Sequence, residues 1–473
     1  MRSFVSISLF LLGMIMVQST KAAELLTLDD CIELALKNRA SVIAAKGREQ
    51  LAGANKRAAL GAFLPRVDAS YSYSETRSRD IKSDVEDRQT FLSYVVDSVE
   101  VYDPAGDSSF YILGASPQVD SVTSTINEMP LPDQDRSNKS LNLSANISLF
   151  DLSNFFDYAG SKANLAKAKL DVIGSEQDLI YAVKVSYYYY LAAVKNVEVQ
   201  DQAVERSTEQ LKLIQSKYDL GSASKSDVLK QKVQMGNDRL SLLSAQNDVN
   251  NGKASLAYTV GLDPNSDIEF SMDYSMRDFS GTLQEAMAYG LDHNPGLLSS
   301  EKSVDLYRHS VRSRWAKYLP TLSGYGSMTF SDGTQGDTAT FNFSSRSTTF
   351  GLQANWNIFD GFAREYNLTS AKVNFNTARA EYADMRNWTS QSIKSKYLDI
   401  ERLKEKQKVS QENVDAADED LKITQEKYNL GAATILDLLD AQVSLKQAQV
   451  SLIQADFDLN LAISNLENAM GKI

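Results

Sequence analysis

Four short stretches of the chain alternate apolar and polar residues with a period of two. Leu141, Leu143, Ala145, Ile147 and Leu149 are separated by Asn142, Ser144, Asn146 and Ser148, and Phe350, Leu352, Ala354, Trp356 and Ile358 by Gly351, Gln353, Asn355 and Asn357. Val67, Ala69, Tyr71 and Tyr73 alternate more weakly, as do Leu322, Gly324, Gly326, Met328 and Phe330. The pattern predicts strands over about 66–75, 140–150, 321–331 and 348–359, each about ten residues long, the length at which a tilted strand crosses a bilayer. A sheet with one face in water alternates in the same way. Lipid is favoured because the polar positions are serine, asparagine and glutamine with few charges, and because Phe63, Phe150, Tyr318 and Phe359 flank the stretches where interfacial aromatics belong.

Outside these stretches the pattern is helical. Residues 155–219 and 363–429 run without proline, which predicts two helices of roughly 65 residues and about 95 Å each. Shorter helices of roughly 35 residues, about 50 Å, are expected over 28–61, 225–260, 283–318 and 434–470. Two of the short helices laid end to end match one long one. All are lean in leucine and rich in alanine, serine, asparagine, glutamine and charge. A solvated coiled coil explains that composition, and so does a hollow ring of helices with water inside and out.

The chain is also written twice. "LTLDDCIELALKN" from Leu26 is matched without a gap by "GTLQEAMAYGLDH" from Gly281, which pairs Thr27 with Thr282 and Pro65 with Pro320. "ISLFD" ending at Asp151 matches "WNIFD" ending at Asp360, Gly221 matches Gly431, and Gly261 matches Gly471. The expected organisation is a first repeat over 23–261, an equatorial linker over 262–280 and a second repeat over 281–473. Each repeat carries two strands and a helical hairpin, 155–260 and 363–470. The first has about 46 extra residues, read as one long loop over 76–139, in which "TFLSYVVDSVEVY" is β-prone enough to extend a hairpin.

Composition narrows the function. Arg2, the apolar run "FVSISLFLLGMIMV" and the small residues ending at Ala22 read as a secretory signal peptide over 1–22. Its removal takes away two cations and moves the net charge from −12 to −14. That balance argues against a nucleic-acid partner. With His293 and His309 as the only histidines, a metal site or catalytic triad is poorly supplied, and neither an enzyme nor a cofactor is expected. Cys31, inside a helical pattern, reads as a small buried apolar residue. Past Ala23 no stretch has the roughly 18 consecutive apolar residues of a membrane-spanning helix. The expected class is therefore an α+β membrane protein that enters lipid through its strands. Four strands cannot close a barrel, and open edges are not tolerated in lipid, so copies must associate. Two copies supply eight strands and three supply twelve.

The paired openings "TLDDCIELAL" and "TLQEAMAYGL", the "FLP" and "YLP" junctions, the "LFD" and "IFDG" strand ends, the turns "KYDLG" and "KYNLG", and above all "TILDLLDAQ" resemble the TolC-type outer-membrane efflux proteins. The likeness covers essentially the whole mature chain. It implies a homotrimer whose twelve-stranded β-barrel in outer-membrane lipid is continuous with a long α-helical barrel through the periplasm. It also implies work with a periplasmic adaptor and an inner-membrane transporter, as exit duct for drugs, small molecules or proteins in efflux or type I secretion. A soluble periplasmic coiled-coil adaptor or scaffold protein is the alternative, and it leaves the repeated strands unexplained.

The turns carry the candidate site. Ser224-x-x-Asp227 and Thr434-x-x-Asp437 have the spacing of helix capping boxes. Asp440 lies one turn beyond Asp437, and its repeat mate is Lys230, so neither capping nor internal symmetry requires an acid there. The resemblance places a cation-selective pore constriction at Asp437 and Asp440. It places adaptor docking at the helix tips marked by Tyr218, Gly221, Tyr428 and Gly431, where glycine is also expected simply to end a helix. Ala433 stands where family members can carry an arginine that locks the closed tip, so that latch is expected to be absent. The second repeat runs out at Ile473, so little C-terminal contribution to an equatorial collar is expected.

Overall fold

The structure, a computed structural model, describes residues 25–78, 82–102, 109–130, 134–266, 268–272, 277–335 and 343–472. The expected signal peptide lies outside the described residues. The chain divides into a strand unit, 62–151 with 320–356, and a helical unit made of the remaining segments.

In the strand unit, β1 (Arg66–Ser78), β4 (Gln134–Phe150), β5 (Thr321–Gln335) and β6 (Ser345–Asn355) form one antiparallel sheet in the order β1-β4-β5-β6. The register lines up like with like. Val67, Ala145, Gly326 and Phe350 pair across all four strands, and the next such row on that face is Ala69, Leu143, Met328 and Thr348. The intervening row is Asp68, Ser144, Ser327 and Thr349. A slip of one residue would exchange the two faces, so this register is what sorts apolar from polar. The apolar face is bare within one chain: Val67 is 70% exposed, Leu352 71% and Phe350 85%.

The long loop expected over 76–139 is corrected. β1 continues to Ser78 and β4 begins at Gln134, while β2 (Lys82–Tyr102) and β3 (Ser109–Pro130) form a separate two-stranded ribbon. Their pairing runs from Lys82 with Pro130 to Tyr102 with Ser109, with one irregularity at Phe91/Leu92. A segment this rich in valine, threonine and aromatics takes a pleated backbone. In the other repeat, β6 ends at Asn355 rather than near 359. Gly361 and Phe362 both take left-handed backbone, φ 68° and 67°, which ends the extended run and opens the next helix. Arg364 secures this turn. Its guanidinium donates to the Asn357 and Ile358 carbonyls at 2.6 and 2.8 Å, pairs with Asp360, and lies over the Tyr318 ring.

The helical unit contains α1 (Leu28–Asn38), α2 (Ala40–Gly61), α3 (Leu152–Asp219), α4 (Lys225–Val260), α5 (Leu283–His293), α6 (Pro295–Ala316), α7 (Ala363–Asn429) and α8 (Ile435–Met470). α3 has 68 residues and α7 has 67, so each is about 100 Å long. α3 packs against α2, α6, α4 and α8, and α7 against α6, α5 and α8. The helices expected unbroken over 28–61 and 283–318 are each split, at Arg39 and at the equivalent Asn294, both in extended conformation. Pro295 accounts for the second break, because proline disfavours helical backbone in the residue before it, and the Asn294 side chain then accepts from Leu297 N–H. At Arg39 the cause is tertiary. Its guanidinium reaches the end of α4, donating to the Tyr258 carbonyl at 3.1 Å and stacking on the Tyr258 ring.

Both breaks are met by a helix C-terminus. α4 is capped by Gly261 and α8 by Gly471, each left-handed, with paired backbone hydrogen bonds back into the last turn. The main core lies beside them. Cys31, Ala35, Val42, Val183, Tyr187, Leu191, Leu256 and Phe270 are buried together, each larger side chain contributing about 1.5–3 kcal/mol by leaving water. Burial pushes the Cys31 thiol up to about 12, so it stays protonated and inert. The linker is strapped to this core. Leu26 pairs with Phe270, Tyr187 donates to the Ser271 carbonyl at 2.7 Å, and Arg277 forms a two-pronged pair with Glu467.

A Cβ on Gly471 would sit 2.6 Å from the His293 carbonyl oxygen, whereas one on Gly221 would meet nothing within 4 Å. Both are left-handed, so Gly221→Ala is expected to cost about 1 kcal/mol from backbone alone, and Gly471→Ala roughly 2–3 kcal/mol. Comparing the two variants by denaturant unfolding followed at a helical circular-dichroism band checks this; equal losses would mean that the packing around Gly471 is looser than described.

Candidate functional site

The two turns, α3–α4 and α7–α8, are built alike and packed together. At each, a glycine leaves the helix with φ near 76°, Gly221 at 77° and Gly431 at 75°. Gly221 and Ser222 N–H donate back to the Tyr218 and Lys217 carbonyls, and Gly431 and Ala432 N–H to those of Tyr428 and Lys427. This double bond pattern needs a residue that tolerates left-handed backbone. Between the turns Ile214, Ile435 and Leu438 are buried, with Ala223, Val228 and Tyr428 against them. Tyr428 is thus partly enclosed while Tyr218 stays 39% exposed. Burial first, and then the nearby Asp227 carboxylate, push the Tyr428 phenol up.

Capping boxes start both following helices. Asp437 N–H donates to Thr434 Oγ1 at 3.3 Å while Thr434 N–H donates to Asp437 Oδ2 at 2.8 Å, and Ser224 with Asp227 does the same at 3.1 and 3.0 Å. The backbone and side-chain hydrogen bonds from Thr434 hold the Asp437 carboxyl below the usual carboxylate range. Asp440 is exposed, and among the described residues no hydrogen bond or ion pair holds its carboxylate. The structure therefore separates two acids that share a face. Asp437 has a structural occupation, and Asp440 has none within one chain.

Two contributors escape sequence reasoning. Lys217 Nζ lies 4.6 Å from the centre of the Tyr428 ring and 3.4 Å from Asn429 Oδ1, bridging one turn to the other. The recurrence of Lys-Tyr at both turns was the available signal. Further along the helices, Lys446 of α8 pairs at 2.8 Å with Asp238 of α4, whose side chain is 4% exposed, and Gln234 Nε2 donates to the same carboxylate at 3.1 Å. Among the described residues no cluster of histidine, cysteine or acids could hold a metal ion.

Long proline-free helical hairpins and a four-stranded antiparallel sheet, each assembled from two repeats, define the class of outer-membrane channel proteins that pair strands with long helices. The chain belongs to the outer membrane efflux protein family, which it matches over residues 114–262 and 290–472. It is similar to the outer membrane efflux protein BepC of Brucella suis, 22% identical over 325 residues that cover 67% of this chain and 70% of that one. To the outer membrane protein TolC of Escherichia coli it is 21% identical over 310 residues, covering 63% and 62%. Its fold is that of the CmeC outer membrane channel of Campylobacter jejuni, with a TM-score of 0.73 at 18% identity over 94% of this chain and 85% of that one. VceC of Vibrio cholerae superposes with a TM-score of 0.69 at 20% identity, covering 94% and 96%. The protein is an efflux channel of the outer membrane, with no enzymatic role.

The lowered Asp437 pKa has a definite sign. Its contribution to the tip is full above the ordinary carboxylate range and is lost as pH falls through the depressed folded value. Hydrogen exchange at the first turn of α8 is therefore expected to quicken in acid in the wild type. Asp437→Asn should be fast already at neutral pH, and Asp440→Asn should follow the wild type. Identical protection in Asp437→Asn and wild type at pH 7 would remove the capping role.

Proposed function

We propose that three copies of this chain close a twelve-stranded barrel in the outer membrane that is continuous with a barrel of helices in the periplasm. In this reading the assembly is the passive exit duct of a tripartite efflux or type I secretion system. The observation that carries the reading is the four-stranded sheet, apolar along one face and polar along the other, with β1 and β6 at its unpaired margins. Unpaired backbone donors and acceptors cost several kcal/mol each in hydrocarbon, so such a sheet enters lipid only when β6 of one copy pairs with β1 of the next. The helices support the same ring. α2 packs on α3 and α7 on α6, and among the described residues no packed pair joins α2 to α7 within a chain. Ile43 and Leu51 on α2 and Val373 on α7 are more than half exposed, as befits flanks that meet another copy.

At the tips the three copies of Asp437 and Asp440 form two acidic rings about one helical turn apart. They narrow the mouth, favour cations and bind multivalent ions weakly. Asp440, free of any capping duty, is the selectivity element, and Asp437 combines capping with a share of the ring. Tyr218, Gly221, Tyr428 and Gly431 present the turns to a periplasmic adaptor, through which an inner-membrane transporter delivers the cargo. The missing arginine at Ala433 leaves the closed tip to other contacts, of which the Lys217–Tyr428 bridge is one.

Purified protein in planar lipid is expected to carry an ionic current, and cross-linking to stop at trimer. Asp437→Ala with Asp440→Ala should raise single-channel conductance and abolish block by di- and trivalent cations, and Asp440→Lys should reduce cation selectivity on its own. A stable lone subunit in lipid, or unchanged conductance and block in the double variant, contradicts the assignment.

A further inference from the structure

A cavity of about 890 Å³ opens on α7 beside α6, lined by Glu381, Asp384, Met385, Trp388 and Gln391 of α7 and Ser300 of α6. Its chemistry is one-sided. Trp388 is 60% exposed, Met385 adds a polarisable apolar wall, and the lining contains two carboxylates and no lysine or arginine. Among the described residues neither carboxylate has a hydrogen-bond or ion-pair partner, so their charge is uncompensated. Spacings of 381, 384, 385 and 388 put all four side chains on one helical face.

We infer that Trp388 with Glu381 and Asp384 forms a transit site for hydrophobic organic cations. An aromatic face attracts a cation by about 0.5–2 kcal/mol, more as water is displaced, and two free carboxylates add a field of the same sense. A quaternary or protonated amine carrying an aromatic ring satisfies both, its ring on the Trp388 and Met385 surface and its charge toward the acids. A neutral or anionic compound of the same size satisfies only the apolar half.

The position relates the site to transport, and this step rests on the channel reading above. α5 covers the face of α7 that carries Ile393, where Ala286 and Ile393 are buried together and Gly290 lies in contact. Trp388 is five residues away, about 140° around the helix, and so turns away from the α5 layer. A duct needs its lumen open, which puts the α5 layer outside and Trp388 inside, three to a ring. Cargo of this class would pause there, above a mouth that already favours cations.

The chain has three tryptophans, so Trp315→Phe with Trp356→Phe leaves Trp388 as the sole reporter in the assembled protein. Its emission should be quenched saturably by 1-methylquinolinium, and weakly by neutral acrylamide-sized probes at equal concentration. Glu381→Gln with Asp384→Asn should weaken the quinolinium titration at least tenfold while an anionic naphthalenesulfonate gains. Linear quenching unchanged by the charge variants overturns the site. So does a Trp388 shielded from both acrylamide and the cation, which would mean that another copy's helix covers this face. Conductance of the same preparations separates the two readings. Current without saturable binding leaves the channel and removes the site, whereas saturable binding without current keeps the site and removes its lumenal placement.

Discussion

The constraint on which the rest depends is that a strand in lipid has no water to satisfy its backbone. One chain provides a four-stranded sheet in which, among the described residues, the inner strands are paired on both sides and the outer two on one side only. Everything apolar about the sheet compounds the problem, since Phe350 and Leu352 are exposed on the face that lipid would cover. In water such a sheet would be a strong aggregation template. In the proposed ring, closure with other copies is what makes the sequence tolerable, and the same closure would cover the exposed apolar flanks of the helical unit.

Within the helical unit, duplication solves one packing problem twice by different chemistry. In each repeat a helical stretch of about 35 residues leading to the strands gives way where a hairpin's C-terminus arrives. In the second repeat this is covalent: Pro295 breaks the helix, and Gly471 fits against it only for want of a side chain. In the first repeat the break has no proline, and the Arg39 stack on Tyr258 does the same work through tertiary contact. The linker then ties both ends into the core, through Phe270 on Tyr190 in one half and through Arg277 on Glu467 in the other. Breaking the Arg277–Glu467 pair would strand a largely buried carboxylate that, among the described residues, has Lys184 at 3.8 Å to offset it.

Legibility followed the range of the interaction. The strands were readable because alternation is local, and the repeat because "TLDDCIELAL" and "TLQEAMAYGL" keep their spacing. The turns were readable because Gly221 and Gly431 must take left-handed backbone and because a capping box occupies only four residues. The bend at Arg39 was not, since its cause sits 219 residues away in Tyr258. The β2–β3 ribbon hid inside what length alone suggested was loop, although its valines and aromatics carried the signal. The Asp238–Lys446 pair and the Trp388 cavity depend on which helices meet, which no window of sequence contains.

The charge that differs between the two turns then takes its meaning from what both turns already have. Ser224–Asp227 and Thr434–Asp437 satisfy the same backbone donors at nearly the same distances, so folding asks for nothing further at the next turn. Lys230 and Asp440 occupy that next turn on opposite sides of the duplication, and if both only solubilised a helix either charge would serve at either place. The proposed ring of three chains would repeat each choice around its axis, however, and like charges that converge are costly unless something binds between them. In that proposed ring, keeping the acid at the α8 turn alone would confine that cost to one pair of acidic rings, where passing cations would offset it.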